Sequence, residues 1–196
     1  MIDLVAFFGN HGKEYSGNRH NAGWMFAEAL PFYDSLGWQR KFKGRCASLE
    51  MARSPDSGKG DRVHFLMPET YMNLSGDSVG EAAAFFKIPP ERILVVHDEL
   101  ELPLGTVGFK FSGGLGGHNG LRSMKARFGT ADFWRRRIGI GRPAHADISA
   151  WVLSDFTGDE AIMLSQVLPQ TVEAFIKGMA EGLETLLPAW SKKKVA

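Results

Sequence analysis

Ile93-Leu94-Val95-Val96, followed at once by His97-Asp98-Glu99, decides how the chain is read. The run is continuously apolar and mostly β-branched, the pattern of a strand covered on both faces, and such strands belong to α/β proteins. Working outward, Val79, Ala82, Ala83, Phe85 and Phe86 recur at helical spacing until Pro89-Pro90 stops them. Further upstream lie strand-like segments at Cys46 to Met51 and Val63 to Met67 and a helix through Trp24, Met25, Phe26, Ala29 and Leu30, opened by His20-Asn21. The first strand is Leu4-Val5-Ala6-Phe7-Phe8. Downstream come a strand through Val107, Phe109 and Phe111, the loop Gly113 to Gly117, a helix from about Leu121, the strand Arg137 to Ile140, and a terminal helix from Asp159 past Phe175. The alternation predicts one α/β domain over residues 1–190, a mixed, mostly parallel twisted central sheet flanked by helices, with 191–196 as a flexible basic tail. Ser54 to Gly60 reads as a polar hairpin tip.

Composition narrows the class. With 196 residues, 44% hydrophobic and 23% charged, the chain can bury a sizeable core. A single cysteine, Cys46, excludes an intrachain disulfide, and no Cys/His pairs stand at structural zinc spacing, so a reducing cytoplasm is expected and no metal. No run of about eighteen apolar residues exists to cross a bilayer, and no leader pattern opens the chain. Net charge is only +1, but Arg122, Lys125, Arg127, Arg135, Arg136, Arg137 and Arg142 face a single acid, Asp132, over one stretch. That stretch is a candidate phosphate-facing surface; a solvated helix face beside a charged edge strand is the alternative.

Three motifs point elsewhere and are weak. Gly113-Gly114-Leu115-Gly116-Gly117 precedes a helix but lacks the Lys-Ser/Thr ending of a nucleotide-binding loop. Gly139-Ile140-Gly141-Arg142-Pro143-Ala144 spells a dinucleotide fingerprint, yet no clear helix opens after Pro143. Gly76-Asp77-Ser78-Val79-Gly80, with Asp98 and His118 following in triad order, imitates a serine-esterase elbow but sits inside a helix.

What remains is a set of asparagines and histidines, each at the end of an element: Asn10, His20-Asn21, Asn73, Asp98 and His118-Asn119. Ligands of open α/β sheets collect at the carboxyl ends of strands, so these side chains can converge on one cleft. Singly, each is also explained as a turn residue or helix cap. The chemistry of the set is nonetheless coherent. A neutral imidazole can take a proton from water attacking an ester, a carboxylate fixes its tautomer, and such a base contributes about 10² to 10⁴ in rate. Asparagine amides donate and accept, so they suit a peptide bond or a developing oxyanion.

Phe8-Gly9-Asn10-His11-Gly12 with Tyr15, Arg19-His20-Asn21-Ala22-Gly23, Pro68-Glu69-Thr70-Tyr71-Met72-Asn73-Leu74-Ser75-Gly76, His97-Asp98-Glu99-Leu100, Gly116-Gly117-His118-Asn119-Gly120-Leu121 and Arg137-Ile138-Gly139-Ile140-Gly141 together resemble bacterial peptidyl-tRNA hydrolases. The motifs run in order from about Leu4 to Phe156. The resemblance implies cleavage of the ester between a peptide and the 3′ ribose of tRNA, no cofactor, and a cytoplasmic monomer whose partner is the acceptor stem and 3′ end of peptidyl-tRNA. It implies His20 as the catalytic base, Asp98 as its orienting carboxylate and Asn10 beside them. Tyr15, Asn21, Tyr71, Met72, Asn73, His118 and Asn119 would hold the substrate. Lys110 and Arg137 would grip the 5′ phosphate, with Arg122 and Lys125 on the acceptor stem. Phe8, His11, Gly108 and Leu115 depart from the family pattern, Gly108 standing where a basic residue is usual. The alternatives are a noncatalytic RNA-binding relative of the same fold and an esterase using Ser78.

Overall fold

The computed structural model describes residues 1–51, 61–144 and 147–196, so the Ser54 to Gly60 tip lies outside the described residues. In chain order the elements are β1 (Leu4–Phe7), α1 (Ala22–Glu28), β2 (Gln39–Lys41), β3 (Gly44–Met51), β4 (Asp61–Pro68), α2 (Ser75–Phe86), β5 (Ile93–Glu99), β6 (Thr106–Phe111), α3 (Asn119–Phe128), β7 (Trp134–Gly139), α4 (Ile148–Val152), α5 (Gly158–Glu181), α6 (Leu187–Trp190) and β8 (Lys193–Lys194). The strands form one sheet in the order β2-β3-β4-β1-β5-β7-β6-β8. The four central strands, β4, β1, β5 and β7, run parallel, and antiparallel strands close both sides. All four therefore end on the same edge.

The apolar run of β5 is continuous because both its faces are covered. Leu94 and Val96 join Val5, Phe7 and Phe65 against α1 and α5, whereas Ile93 and Val95 join Leu4, Ala6 and Leu66 against α2 and α3. On the first face Phe26 of α1 meets Phe175 of α5 edge-on at 5.4 Å, which ties the long C-terminal helix to the core. Each such buried aromatic ring contributes roughly 1.5–3 kcal/mol of burial, which adds to the packing that seats α5.

Four expectations need correction. His20-Asn21 does not open α1: Arg19–Asn21 is a separate 3-10 turn, and α1 ends before Ala29 and Leu30. Helix α3 begins at Asn119, because His118 caps it with its ring nitrogen. The stretch after Pro143 carries one short helix, α4, that local periodicity could not show. The tail is not loose where β6 offers an unpaired edge: Lys193 pairs with Val107 and Lys194 with Thr106, antiparallel.

Candidate active site

Helix α1 docks unusually close to the sheet because residue 23 is glycine. A Cβ there would stand 2.5 Å from the carbonyl oxygens of both Phe8 and Val96. That approach brings His20, at the entrance to α1, beside Asp98 at the end of β5. His20 Nδ1–H donates to Asp98 Oδ1 over 2.8 Å, and His118 Nε2–H donates to the same oxygen over 2.9 Å. The His118 tautomer is dictated from its other side, where Nδ1 accepts the backbone amides of Gly120 (3.1 Å) and Leu121 (3.3 Å). Both nitrogens of His118 are thereby occupied. Among the described residues His20 Nε2 has no partner, so His20 is the ring of the pair that can take a proton.

Burial works against a charge on Asp98, but the two imidazoles and their hydrogen bonds outweigh it and hold the carboxyl well below its ordinary pKa. Burial also opposes a charge on His20, yet the charge and hydrogen bond of Asp98 prevail and raise its pKa. His97 is different. Its Nδ1–H donates to the Asp98 carbonyl (2.6 Å), its ring packs edge-on against His118 at 5.0 Å, and burial drives its pKa far down. It is a neutral wedge behind the couple.

Asn10, Tyr15, His20, Tyr71, Met72, Asn73 and Asn119 line one cleft of roughly 430 Å³, together with Ser149, Val152 and Leu153. A smaller hollow of about 160 Å³ shares His20, Asn119, Ser149 and Val152 and reaches His118 and Arg122. Asn10 is oriented unambiguously: its Oδ1 accepts the Met72 amide (3.0 Å), which leaves its Nδ2 as a donor at the cleft. Asn73 and Asn119 present exposed amides to the same space, and Tyr71 is 69% exposed at its rim. Asn21 does not belong to this lining. It is 1% exposed, and its side chain is spent on Asn10, accepting the Asn10 amide (2.8 Å) and donating to the Asn10 carbonyl (3.1 Å). It braces the loop that carries Asn10.

Arg19 and α4 were missed in the sequence. The Arg19 guanidinium is buried, stacks 3.7 Å over Trp151, and donates to Ser154 Oγ (2.8 Å) and Glu160 Oε2 (2.5 Å). Its amide donates to the Ser154 carbonyl over 3.0 Å. The turn that carries His20 is thus strapped to the segment whose Ser149, Val152 and Leu153 wall the cleft. Those partners lie 135 and 141 residues along the chain, and nothing local pairs them.

The basic stretch divides. Arg122 and Lys125 are exposed on α3, and Lys110 is half-buried on β6. Arg135 and Arg136 are not surface groups: Arg135 holds the carbonyls of Gly113 and Gly114, and Arg136 lies buried 4.5 Å from Phe109, where burial lowers its pKa to about 9. Arg137 already has a partner, since Nη2 donates to the Ser191 carbonyl at 2.5 Å and Nη1 stands 3.9 Å from Glu99. Ser78 is buried in α2 with its Oγ donating to the Phe42 carbonyl at 2.6 Å, so no esterase elbow forms. Ligand atoms of His20, Asp98 and His118 lie within 4.8 Å of one another. Each nitrogen facing the carboxylate already gives it a hydrogen, which a metal ion would have to displace.

An imidazole backed by a buried carboxylate, facing an amide-lined cleft at the carboxyl ends of parallel strands, fits a hydrolase of the α/β class. The chain belongs to the peptidyl-tRNA hydrolase family, whose model matches residues 4–196. It is 44% identical to the peptidyl-tRNA hydrolase of Treponema pallidum, with 99% of this chain and 96% of that protein covered. It is 41% identical to that of Desulfitobacterium hafniense, covering 92% and 95%. Among solved structures it is similar to the peptidyl-tRNA hydrolase of Acinetobacter baumannii, with a TM-score of 0.80, 33% identity, and coverage of 97% and 96%.

Proposed function

We propose that this chain hydrolyses the ester between the last residue of a peptide and the 3′ ribose of tRNA, acting as a cytoplasmic monomer with His20 as general base. The observation that carries the reading is the 2.8 Å bond from His20 Nδ1 to Asp98 Oδ1, which leaves Nε2 as the proton acceptor at the cleft. Nε2 takes a proton from water as its oxygen bonds to the ester carbonyl carbon, and the ionised Asp98 stabilises the imidazolium that forms. The same proton then passes to the ribose 3′ oxygen as the ester C–O bond breaks, freeing the peptide acid and the tRNA. Asn10 Nδ2 and the amides of Asn73 and Asn119 supply donors for the oxyanion and grip the acylated α-nitrogen. One well-aimed donor is worth about 10² to 10³ in rate. No step in this scheme calls on a cofactor. Exposed Arg122 and Lys125, with Lys110, face the phosphates of the acceptor stem. In the described residues no helix is long and apolar enough to cross a membrane, and the lone Cys46 is free.

Selectivity follows from the same amides. A site shaped for an acylated nitrogen leaves buried groups unpaired when it meets an ammonium, so N-acetyl-aminoacyl-tRNA should be cleaved at least about 10²-fold faster than the unacetylated form. The measurement is ester release from both substrates by purified protein. Cleavage of neither would put the RNA-binding alternative ahead.

A further inference from the structure

The C-terminal strand sits beside an anomaly in β6. Position 108 is a glycine in mid-strand, and a Cβ there would meet the Ser191 carbonyl oxygen at 2.2 Å, a backbone atom that cannot swing aside. That same carbonyl accepts the Arg137 guanidinium at 2.5 Å. Beyond it, Lys193 and Lys194 pair with Val107 and Thr106, and the amides of Val195 and Ala196 donate to the Gly105 carbonyl. The missing side chain at 108, the arginine on β7 and the open edge of β6 therefore combine to pin the tail along the sheet.

What is pinned is a run of charge. Lys192, Lys193 and Lys194 are all exposed, and among the described residues none has a carboxylate within ion-pair distance; the same holds for Lys110, further along β6. Three adjacent like charges repel one another and gain nothing from the fold. A repeating anion relieves that repulsion, and a nucleic-acid backbone carries its phosphates in such a row.

We propose that Lys192 together with β8 forms a nucleic-acid-binding element of this chain, lysines 192–194 contacting the phosphate backbone of the RNA half of the substrate next to Lys110, with Gly108 and Arg137 acting as the seat that holds it in place. This rests on the tRNA ester being the substrate. It assigns Arg137 to anchoring the tail, and it gives Gly108 a purpose: a larger residue there would evict the strand.

The test compares four proteins on deacylated tRNA, reading affinity against salt: the parent, the triple variant Lys192→Gln/Lys193→Gln/Lys194→Gln, Gly108→Ala, and Lys177→Gln, an α5 surface change at a residue paired with Glu181. The triple variant keeps the strand and should weaken binding on the order of tenfold at low salt, with the slope of log K against log salt reduced by about 0.7–0.9 for each lost contact. Gly108→Ala, which displaces the tail, should weaken binding in the same direction, and Lys177→Gln should match the parent. An unchanged slope in the triple variant, or tighter binding once Gly108→Ala dislodges the tail, overturns the proposal. Parent cleavage of an N-acetyl-aminoacyl ester of a short CCA oligonucleotide is measured alongside. Its absence would defeat the substrate reading instead, so the two failures are distinct.

Discussion

The cleft at the ends of β1 and β5 and the edge formed by β6 and β8 solve opposite problems. In the cleft the polar groups that set the reacting atoms are committed: Asp98 Oδ1 takes two imidazoles, His118 is held from both sides, and Asn21 is spent on Asn10. At the edge, Lys192 and the two lysines of β8 stand exposed on a tail held by backbone bonds and one arginine. Bond-breaking needs atoms placed to fractions of an ångström, whereas phosphate reading needs charge density and tolerates mobile side chains. Substitutions in the first region should therefore act on turnover and those in the second on affinity.

The largest effect expected is from His20→Ala, which removes the base. Turnover of N-acetyl-aminoacyl-tRNA should fall by about 10³ or more while affinity for deacylated tRNA stays within a few-fold. Comparable losses in both would erase the division between the two regions. Next comes Asp98→Asn, which keeps the volume but removes the charge, and kcat should drop by about 10² to 10³. Its pH profile sharpens the point. The parent needs neutral His20, whose pKa is raised, so kcat/KM should fall about tenfold per unit as pH drops below a value above 6.5. Without the carboxylate, the unopposed burial of His20 should move that acid limb to lower pH; an unmoved limb would show that Asp98 does not govern the base. The smallest effect belongs to Ser78→Ala. Losing one buried hydrogen bond to Phe42 should cost about 1 kcal/mol in thermal stability, with kcat/KM within twofold of the parent. A collapse of activity there would revive the esterase.

Much of the cleft could be read from residue types at element ends. Asn10, Asn73, His20, Asp98 and Asn119 each follow or open an apolar segment, and parallel strands carry such positions to one edge. Asn21 has the same local signature and turned inward, because its burial depends on the Asn10 backbone opposite it. Arg135 and Arg136 read as surface charge beside Arg137, but β7 is covered on both faces, so the alternation of charge and apolar residues that marks an edge strand was absent.

By itself the sequence determined the α/β class, through the unbroken Ile93 to Val96 run, and the chemical identities at the strand ends, through motifs whose residue types suit ester hydrolysis. Only tertiary structure decided that His20 and His118 share one carboxylate oxygen with a single ring left free, that Arg19 reaches Glu160, and that the last strand is seated over Gly108. The physical reason is range. Periodicity and composition report on neighbours along the chain, whereas which lone pair meets which hydrogen is set by contacts between residues as much as 141 positions apart.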